Sequence, residues 1–324
     1  MRSCAAAALG LLVLLFGGVW LTAGEQADPV QPQETAAAVD SGVYLQVWNG
    51  EQTVEMRLDE YLAGVVRGEM PAVFEQQALC AQAAAERTYV YYRMRGGRKA
   101  THPEADVCMD YRCCSAFVSR EDAAVRWGGD AAEYEAKVQR AVADTDGQVI
   151  LYDGTPILAA FHSSSAGVTA NSGDVWVSTL PYLHSVSSPE GPDSVPNYYS
   201  VVELPAAAFR DTFLAAHPEA DFSGPVEGWI GGLTENDSGR VETAVVGGVT
   251  VEGTELRSLY GLRSACFTVE ATAEQLTFHV TGYGHGVGMS QYGANLLASQ
   301  GKTWREILQW YYSGVEIGPY ALPS

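Results

Sequence analysis

The sequence is poor in basic residues, because its 19 lysines and arginines stand against 39 aspartates and glutamates. The resulting formal net charge of −20 argues against nucleic acid or an anionic membrane surface as the main partner, and it favours a neutral or cationic ligand. The chain also lacks any internal repeat, which excludes a solenoid or propeller architecture. Neither absence defines the fold, which has to be predicted from local sequence patterns.

Several catalytic and nucleotide-binding motifs are missing as well. The glycine-rich segment 282–293 reads GxGxGxG where dinucleotide-binding folds need GxGxxG, and no Gly-Lys-Ser/Thr follows it. Ser290 does not form a nucleophile elbow, since Tyr292 stands where the closing glycine would be. The segment is therefore interpreted as a loop whose backbone can approach a ligand closely, displaying His285, Gln291 and Tyr292, or as a tight structural loop.

Cysteine is scarce, with six residues, and five remain when Cys4 is set aside. If the chain lies outside the cytoplasm, as its N-terminus indicates below, an odd number of cysteines argues against a full disulfide framework. His102, Cys108, Cys113 and Cys114 lie close together in the sequence and offer the ligands of a tetrahedral zinc site. Such a zinc ion would be structural, because four protein ligands leave no open position. A disulfide between Cys108 and Cys113 or Cys114 is the alternative.

The N-terminus contains an uncharged apolar run, Cys4–Ala23, that is long enough to span a bilayer as a helix. We predict that residues 1–23 form an uncleaved transmembrane anchor, with a cleaved signal segment as the alternative. Residues 24–42 are predicted to be a polar linker without folded structure. Residues 43–324 would then form a single domain on the extracytoplasmic side of a single-pass membrane protein.

The folded part begins with an alternating apolar pattern over 43–56, interrupted by Asn49-Gly50, which predicts a β-hairpin. Helical spacing then predicts one helix from Leu58 to Pro71 and a second, alanine-rich helix over 74–95. Further predicted elements are helices over 130–143 and 206–216, hairpins over 149–161 and near 245–249, strands at 267–269 and 276–280, and a last helix opened by a Thr303/Glu306 capping box. Hairpins and helices without regular βαβ alternation predict an α+β fold, with mostly antiparallel sheets and packed helices.

Glu69 continues the apolar stripe of the first helix, since it follows Leu58, Leu62 and Val65 on the same face. A buried carboxyl must be paired, hydrogen-bonded or shifted to a higher pKa. A raised pKa suits a general acid. From the pattern alone, a glutamate that reaches solvent at the end of its helix is the more common case.

Six segments occur in a characteristic order: LDEYLAGVVRGEMP, ALCAQAAAERTY, FHSSSAG, PYLHSV, GLRS and GYGHGVGMSQYGA. Together they resemble the stage II sporulation protein D (SpoIID) family, which is related to LytB-type amidase enhancers. The resemblance covers about Val43 to Ile317. It implies a membrane-anchored lytic transglycosylase that cleaves peptide-stripped glycan strands of peptidoglycan during forespore engulfment. The implied partners are these strands, a cell-wall amidase and a membrane protein of the engulfment machinery, and nucleic acid is not among them.

The resemblance also assigns site residues, with Glu69 as the catalytic acid of the family's Glu-Met-Pro motif. Glu69 would protonate the oxygen between N-acetylmuramic acid and N-acetylglucosamine and then accept the C6 hydroxyl proton as a 1,6-anhydro ring closes. A hydrolase that uses Glu69 with Asp59 is the mechanistic alternative, because hydrolases need two carboxyl groups. The cleft residues carried over from the family are Gln82, Arg87, Ser163, Ser165, His285, Gln291 and Tyr292.

Three positions depart from the family pattern. Glu86 replaces the usual alanine and is interpreted as an exposed helix residue. Cys80 replaces a common lysine, so a substrate contact is missing if that lysine makes one. Cys113 stands where some relatives carry a histidine, which leaves a chemically acceptable set of one histidine and three cysteines. The departure at Cys80 favours the alternative function, a non-enzymatic glycan-binding enhancer of a cell-wall amidase.

Overall fold

The computed structural model describes residues 39–321. The predicted transmembrane segment and most of the predicted linker lie outside these residues. The helices are α1 Leu58–Glu69, α2 Gln76–Gly96, α3 Arg120–Trp127, α4 Ala131–Asp144, α5 Ala206–Ala216, α6 Gly253–Leu259, α7 Gln291–Ser299 and α8 Trp304–Tyr311. The strands are β1 Tyr44–Trp48, β2 Thr53–Arg57, β3 Val107–Cys108, β4 Gln148–Tyr152, β5 Thr155–Pro156, β6 Phe161–His162, β7 Tyr199–Pro205, β8 Ile230–Glu235, β9 Val241–Val246, β10 Val249–Glu252, β11 Phe267–Ala271, β12 Gln275–Thr281, β13 Met289–Ser290 and β14 Glu316–Pro319.

The strands of the described residues form five small sheets. Their orders are β2-β1-β3, β10-β9-β8, β11-β12-β7, β13-β6 and β14-β4-β5. All pairs are antiparallel except β1 with β3 and β13 with β6. The predicted α+β class with mainly antiparallel pairing is confirmed. Within residues 39–321, none of the helices is both long and apolar enough to cross a membrane.

Helix α2 is the centre of the larger hydrophobic core. It packs against α1, α4, α7, α8 and β4. Its run Ala83–Ala85 has no solvent exposure. Because alanine side chains are short, neighbouring helices can approach the α2 axis from several sides at once. The close packing predicted from the alanine content of this helix is confirmed.

A second hydrophobic core lies between α5, α6, the β7–β11–β12 sheet and the β8–β9–β10 sheet. It is rich in aromatic rings, and Phe209 stacks on Tyr260 with ring centroids 4.6 Å apart. Strand β7 and helix α6, which complete this core, were not predicted from the sequence. Strand β7 could not be predicted from its neighbours in sequence, because it pairs with β12, some 75 residues later in the chain.

The predicted first hairpin, the first two helices and the capping box at Thr303 and Glu306 are confirmed. The predicted linker is wrong at its C-terminal end. Residues Asp40–Gly42 form a 3₁₀ turn, and Asp40 is buried. The folded unit therefore begins before residue 43, because Asp40 supplies the counter-ion for Arg87.

The guanidinium of Arg87 is fully buried, and the structure provides a hydrogen-bond acceptor for each of its N–H groups. Two nitrogens donate to the Asp40 carboxylate, the shortest bond being 2.6 Å from Nη2 to Oδ2. The remaining N–H groups donate to Thr145 Oγ1 and to the carbonyls of Val142 and Gln148. A buried charge is tolerated when it is paired and hydrogen-bonded in this way.

We expect Asp40→Asn to lower the free energy of unfolding by about 3–5 kcal/mol, because it leaves the Arg87 charge buried without a counter-ion. Urea denaturation of the full chain would measure this loss. Arg140→Met is the matched control, since the Arg140–Asp144 pair is exposed and should contribute less than about 1 kcal/mol. Equal effects of the two substitutions would contradict the buried pair.

Candidate functional site

A cleft of about 760 Å³ lies at the C-terminal end of α1. Its walls are formed by Gly68, Glu69, Tyr89, residues 111–116 and 158–163, Trp176, Arg257, residues 283–285, and Gln291. Of the residues predicted from the sequence, Glu69, Ser163, His285 and Gln291 line the cleft, as do Cys113 and Cys114 of the predicted metal set. The volume lies in the range of ligand-binding sites.

Two glycines on one face of α1 bring another segment against the end of that helix. A Cβ at Gly64 would lie 2.0 Å from the Phe117 ring, and one at Gly68 would lie 2.5 Å from the Ala116 carbonyl oxygen. Any larger residue would push this segment away from the helix. The Gly-x3-Gly spacing was a usable sequence signal for this close contact, and it was missed.

The contact brings the backbone of Ala116 to the Glu69 carboxyl. The Ala116 N–H donates to Glu69 Oε1 at 2.5 Å. The side chain of Glu69 is half-buried and lies in the wall of the cleft. Burial raises the pKa of Glu69, although the hydrogen bonds from Ala116 and Gln291 oppose the shift by stabilising the carboxylate. The direction of this shift is the one that favours a general acid.

Gln291 holds the end of α1 from the other side. Its Nε2 donates to the Glu69 carbonyl oxygen at 3.0 Å and to Gln82 Oε1 at 3.5 Å. Gln82 in turn donates to Glu86 Oε1 at 3.3 Å. Gln82 itself is fully buried and lies behind the cleft wall. It can support Glu69 through Gln291, but it does not line the cleft.

The interpretation of Glu86 as an exposed helix residue is wrong. Its side chain has no solvent exposure and accepts hydrogen bonds from the Ser115 hydroxyl at 3.0 and 3.1 Å. Burial, and then the charge of Glu69, raise the pKa of Glu86 to about 8. Glu86 is therefore neutral when Glu69 ionises and adds no charge to the cleft. The error arose because its partners come from other segments of the chain.

Glycine at every second position of the glycine-rich segment allows backbone conformations that other residues rarely adopt. Gly284 and Gly288 have positive φ angles, and a Cβ on Gly288 would lie 2.1 Å from the Ala160 carbonyl oxygen. This close approach holds His285 in the cleft wall, where its ring lies 5.3 Å from Trp176. Burial, and then the Arg257 charge, lower the pKa of His285 to about 4, so its imidazole is neutral at pH 7.

Three other predicted cleft residues lie elsewhere. Arg87 is buried with Asp40, and neither residue lines the cleft. Ser165 is fully buried, and its hydroxyl bonds with His162 Nε2 at 2.9 Å. Tyr292 packs edge-on against Phe74, with ring centroids 5.0 Å apart, rather than against the cleft. None of the three side chains is part of the cleft surface.

A buried carboxylate that the sequence analysis missed joins the two loops of this wall. Glu190 accepts from the Ser165 amide at 2.6 Å and from the Ser290 and Ser188 hydroxyls at 2.5 and 2.6 Å. Ser188 is also bonded to the Tyr311 hydroxyl at 2.7 Å. The sequence gave no periodic signal for Glu190, because this residue lies in an irregular segment. Glu190 ties together the loops that carry Ser163 and Gln291.

The predicted metal ligands do come together. One ligand atom from each of His102, Cys108, Cys113 and Cys114 lies within 4.8 Å of the others. Since a carbonyl only accepts, His102 Nδ1 donates to the Ala105 oxygen at 3.0 Å, leaving Nε2 as a free acceptor 3.6 Å from Cys114 Sγ. This tautomer is the one required of a histidine ligand. The cluster could hold a metal ion.

The metal cluster is continuous with the cleft. Cys113 and Cys114 line the cleft, and Ser115 and Ala116, which contact Glu86 and Glu69, follow directly in the chain. All five cysteines within residues 39–321 are free thiols. A metal ion here would hold the segment that delivers the Ala116 amide to Glu69.

Cys80 has no direct part in the cleft. Its thiol is fully buried and accepts from Gln76 Nε2 at 3.7 Å, and the same amide donates to the Lys137 carbonyl of α4. Position 80 therefore faces the interior beside α4. The replacement of the family's common lysine removes no group from the cleft surface of this chain.

We expect Glu86→Gln to be more stable than the wild type, by a difference that grows as pH rises. The pKa of Glu86 is about 8 in the folded chain and about 4.5 when unfolded. The free energy of unfolding of the wild type therefore falls as pH rises from about 4.5 to about 8. Below pH 4.5 the wild type and the variant should be equally affected by pH. The gain at pH 7 is on the order of 3 kcal/mol.

Urea denaturation at a series of pH values measures this difference. Glu274→Gln, at an exposed turn between β11 and β12, is the matched control and should follow the wild type. A difference between Glu86→Gln and wild type that stayed constant from pH 4 to pH 8 would contradict the raised pKa.

Comparisons with known proteins identify the family of the chain. Residues 31–152 match the family model SpoIID, described as stage II sporulation protein. The chain is 37% identical over 270 residues to stage II sporulation protein D of Bacillus subtilis (strain 168), covering 82% of this chain and 76% of the relative. It is 36% identical over 261 residues to the protein of the same name from Bacillus amyloliquefaciens, covering 80% and 74%.

A more distant relative is named for a different function. The chain is 27% identical over 306 residues to the amidase enhancer of Bacillus subtilis (strain 168), covering 80% of this chain and 40% of that protein. The high coverage of the sporulation proteins, at more than 30% identity, supports a role in sporulation. The chain belongs to the stage II sporulation protein D family.

Proposed function

We propose that this protein is a peptidoglycan lytic transglycosylase. Its substrate would be a glycan strand without stem peptides, cleaved between N-acetylmuramic acid and N-acetylglucosamine with a 1,6-anhydro product. We further propose that the protein acts in forespore engulfment from the extracytoplasmic side of the cell membrane, anchored by residues 1–23. Its proposed partners are a cell-wall amidase, which prepares the substrate, and a membrane protein of the engulfment machinery.

The observation that carries the proposal is that Glu69 is the single carboxyl group among the residues that line the cleft. Glycoside hydrolysis needs two carboxyl groups, separated by about 5–9.5 Å. Asp59 lies ten residues before Glu69 on α1, which corresponds to about 15 Å along a helix, and it pairs with Arg57 at the surface. Glu86 is enclosed and neutral. A reaction that needs one carboxyl group fits this cleft best.

In the proposed reaction the protonated Glu69 donates its proton to the glycosidic oxygen as that bond breaks. The resulting carboxylate accepts the proton of the C6 hydroxyl, whose oxygen attacks C1 of the same sugar. The Ala116 N–H stabilises the carboxylate between these steps. The raised pKa of Glu69 keeps its acid form populated at higher pH than that of an ordinary glutamate.

A second candidate function is a non-enzymatic enhancer of a cell-wall amidase. It is favoured by the likeness to the Bacillus subtilis amidase enhancer. Under this alternative the cleft would bind glycan and Glu69 would have no chemical role. The position of Cys80 no longer favours the alternative, because that residue does not line the cleft.

We expect Glu69→Gln to lower the rate of strand cleavage about 10²- to 10⁴-fold, since the amide cannot transfer a proton. The assay is digestion of peptide-free glycan strands with mass analysis of the products. Wild type should release 1,6-anhydro ends, at a rate that falls as pH rises through the pKa of Glu69. Glu60→Gln, at an exposed position of the same helix, is the control and should retain activity.

The same assay separates the alternatives. Products with reducing ends would identify a hydrolase. Strands that bind to the wild type but stay intact would favour the amidase enhancer, and stimulation of an added amidase would then be the next measurement.

We also propose that the metal held by His102, Cys108, Cys113 and Cys114 is a structural zinc ion. Both ligand types suit tetrahedral zinc, and the His102 tautomer supports ligation through Nε2. Bound zinc would supply a cross-link within a loop, and the four protein ligands would leave no position for substrate.

We expect one zinc ion per chain, with removal by a chelator lowering the melting temperature. Cys108→Ser should lower both the zinc content and the melting temperature. Cys266→Ser is the control, because Cys266 is a free cysteine outside the cluster. Unchanged zinc content in Cys108→Ser would contradict the ligand set, and a metal-free wild type that forms a Cys108 disulfide would support the alternative.

A further inference from the structure

The cleft contains a second charged group that the proposed reaction does not use. Arg257, on α6, lines the same cleft as Glu69, although α6 packs in the second core and α1, which carries Glu69, packs in the first. Its Nε atom is buried and has no hydrogen-bond partner. Among residues 39–321, no carboxylate lies within ion-pair distance of this guanidinium. In contrast, Arg112, the other arginine of the cleft, pairs with Asp110 at 3.1 Å.

The surroundings of Arg257 make an unpaired cation more unusual. The chain has 39 acidic residues, twice its number of basic ones. The titratable groups that act on Arg257 or feel its charge are His162, His285, Arg240 and Tyr283. Both histidines are neutral at pH 7, because burial lowers their pKa values. The acidic groups of this region, Asp174 and Glu190, act on Arg240, and neither forms an ion pair with Arg257. Arg257 therefore presents a charge that is partly shielded from water and has no carboxylate in direct contact.

The substrate of the proposed function carries an anion of suitable chemistry. In peptidoglycan the stem peptide is joined by an amide bond to the lactyl group of N-acetylmuramic acid. Hydrolysis of that amide leaves a free carboxylate on each muramic acid, where the intact strand has a neutral amide and a bulky peptide. A guanidinium matches a carboxylate with two parallel N–H donors, and such charge-assisted bonds are strong where water is excluded.

We propose that Arg257 binds the lactyl carboxylate of N-acetylmuramic acid and thereby selects strands that have lost their stem peptides. The inference rests on the proposed function and deepens it by naming a residue that determines specificity. The exposed Tyr283 ring and the Trp176 ring, which lies beside His285, flank this part of the cleft and offer apolar faces for sugar rings. Arg257 acts on binding and orientation, while Glu69 remains the group that moves the proton.

The test compares two probes that differ only in the charge of the lactyl group. One is peptide-free glycan strands, and the other is the same strands with their lactyl carboxylates converted to methylamides. For wild type we expect kcat/KM to be about 10- to 100-fold higher on the carboxylate strands, the range of one charge-assisted hydrogen bond. Arg257→Met should lower kcat/KM on these strands and abolish the preference, whereas Arg257→Lys should keep part of it.

Arg112→Met is the matched control, because it removes an arginine of the same cleft that already has a carboxylate partner. It should leave the ratio between the two probes unchanged. Thermal denaturation verifies that each variant is folded, and Arg257→Gln replaces the methionine variant if that one is not. A wild type without preference, or an Arg257→Met that slows both probes equally, would overturn the inference.

Equilibrium binding to Glu69→Gln separates this inference from the proposed reaction. The variant should bind carboxylate strands more tightly than methylamide strands, and the double variant Glu69→Gln/Arg257→Met should bind both alike. If wild type cleaves neither probe but this binding preference holds, the anion subsite stands and the proposed reaction fails. If wild type cleaves strands but Glu69→Gln shows no preference in binding, the reaction stands and the subsite fails.

Discussion

The contact between α1 and the segment after the metal cluster is the constraint on which the site depends. Gly64 and Gly68 leave no side chain between the helix and Ala116, so the Ala116 amide reaches the Glu69 carboxyl. Cys114 lies two residues before that amide, which makes the loop of candidate metal ligands and the proposed general acid parts of one short structure. The ionisation of Glu69 is consequently set by burial and by hydrogen bonds from Ala116 and Gln291 rather than by an ion pair. Such an environment can raise the pKa of Glu69 while still stabilising the carboxylate that forms during the reaction.

Glu69 and Glu86 show how two nearby carboxyl groups can have different roles in one protein. Glu86 has no exposure, and its raised pKa keeps it neutral at pH 7. It therefore neither repels the negative charge that forms on Glu69 nor activates a water molecule in the cleft. Through Ser115 it instead bonds the segment that carries Ala116. A neutral glutamate can serve there as a hydrogen-bonding group, at a cost in stability that grows with pH.

The sequence could predict the features that depend on neighbours along the chain. The first hairpin, the first two helices and the Thr303 cap follow from local periodicity and turn chemistry, and the ligand cluster follows from close spacing. The errors at Arg87 and Glu86 have one physical cause: each side chain is buried by segments far away in sequence, and burial is decided by tertiary packing. The ion pair of Arg87 needs Asp40, which lies in a stretch without apolar periodicity. Arg257 was missed for the same reason, because α6 is short and its place in the cleft depends on the second core.

A reaction with one carboxyl group places unusual demands on the positioning of the substrate. In the proposed chemistry the nucleophile is the sugar's own C6 hydroxyl, so the protein must hold C1, the glycosidic oxygen and that hydroxyl in reach of Glu69 at once. Binding energy from groups remote from the broken bond can provide this orientation. Arg257 is suited to that task because its helix packs in the second core, while the helix of Glu69 packs in the first. A strand bound at both points would be held across the junction of the two cores. Peptide removal by the proposed amidase and cleavage of the glycan strand by this protein would then be linked by the charge of a single lactyl group. The two proteins would not need to contact each other directly.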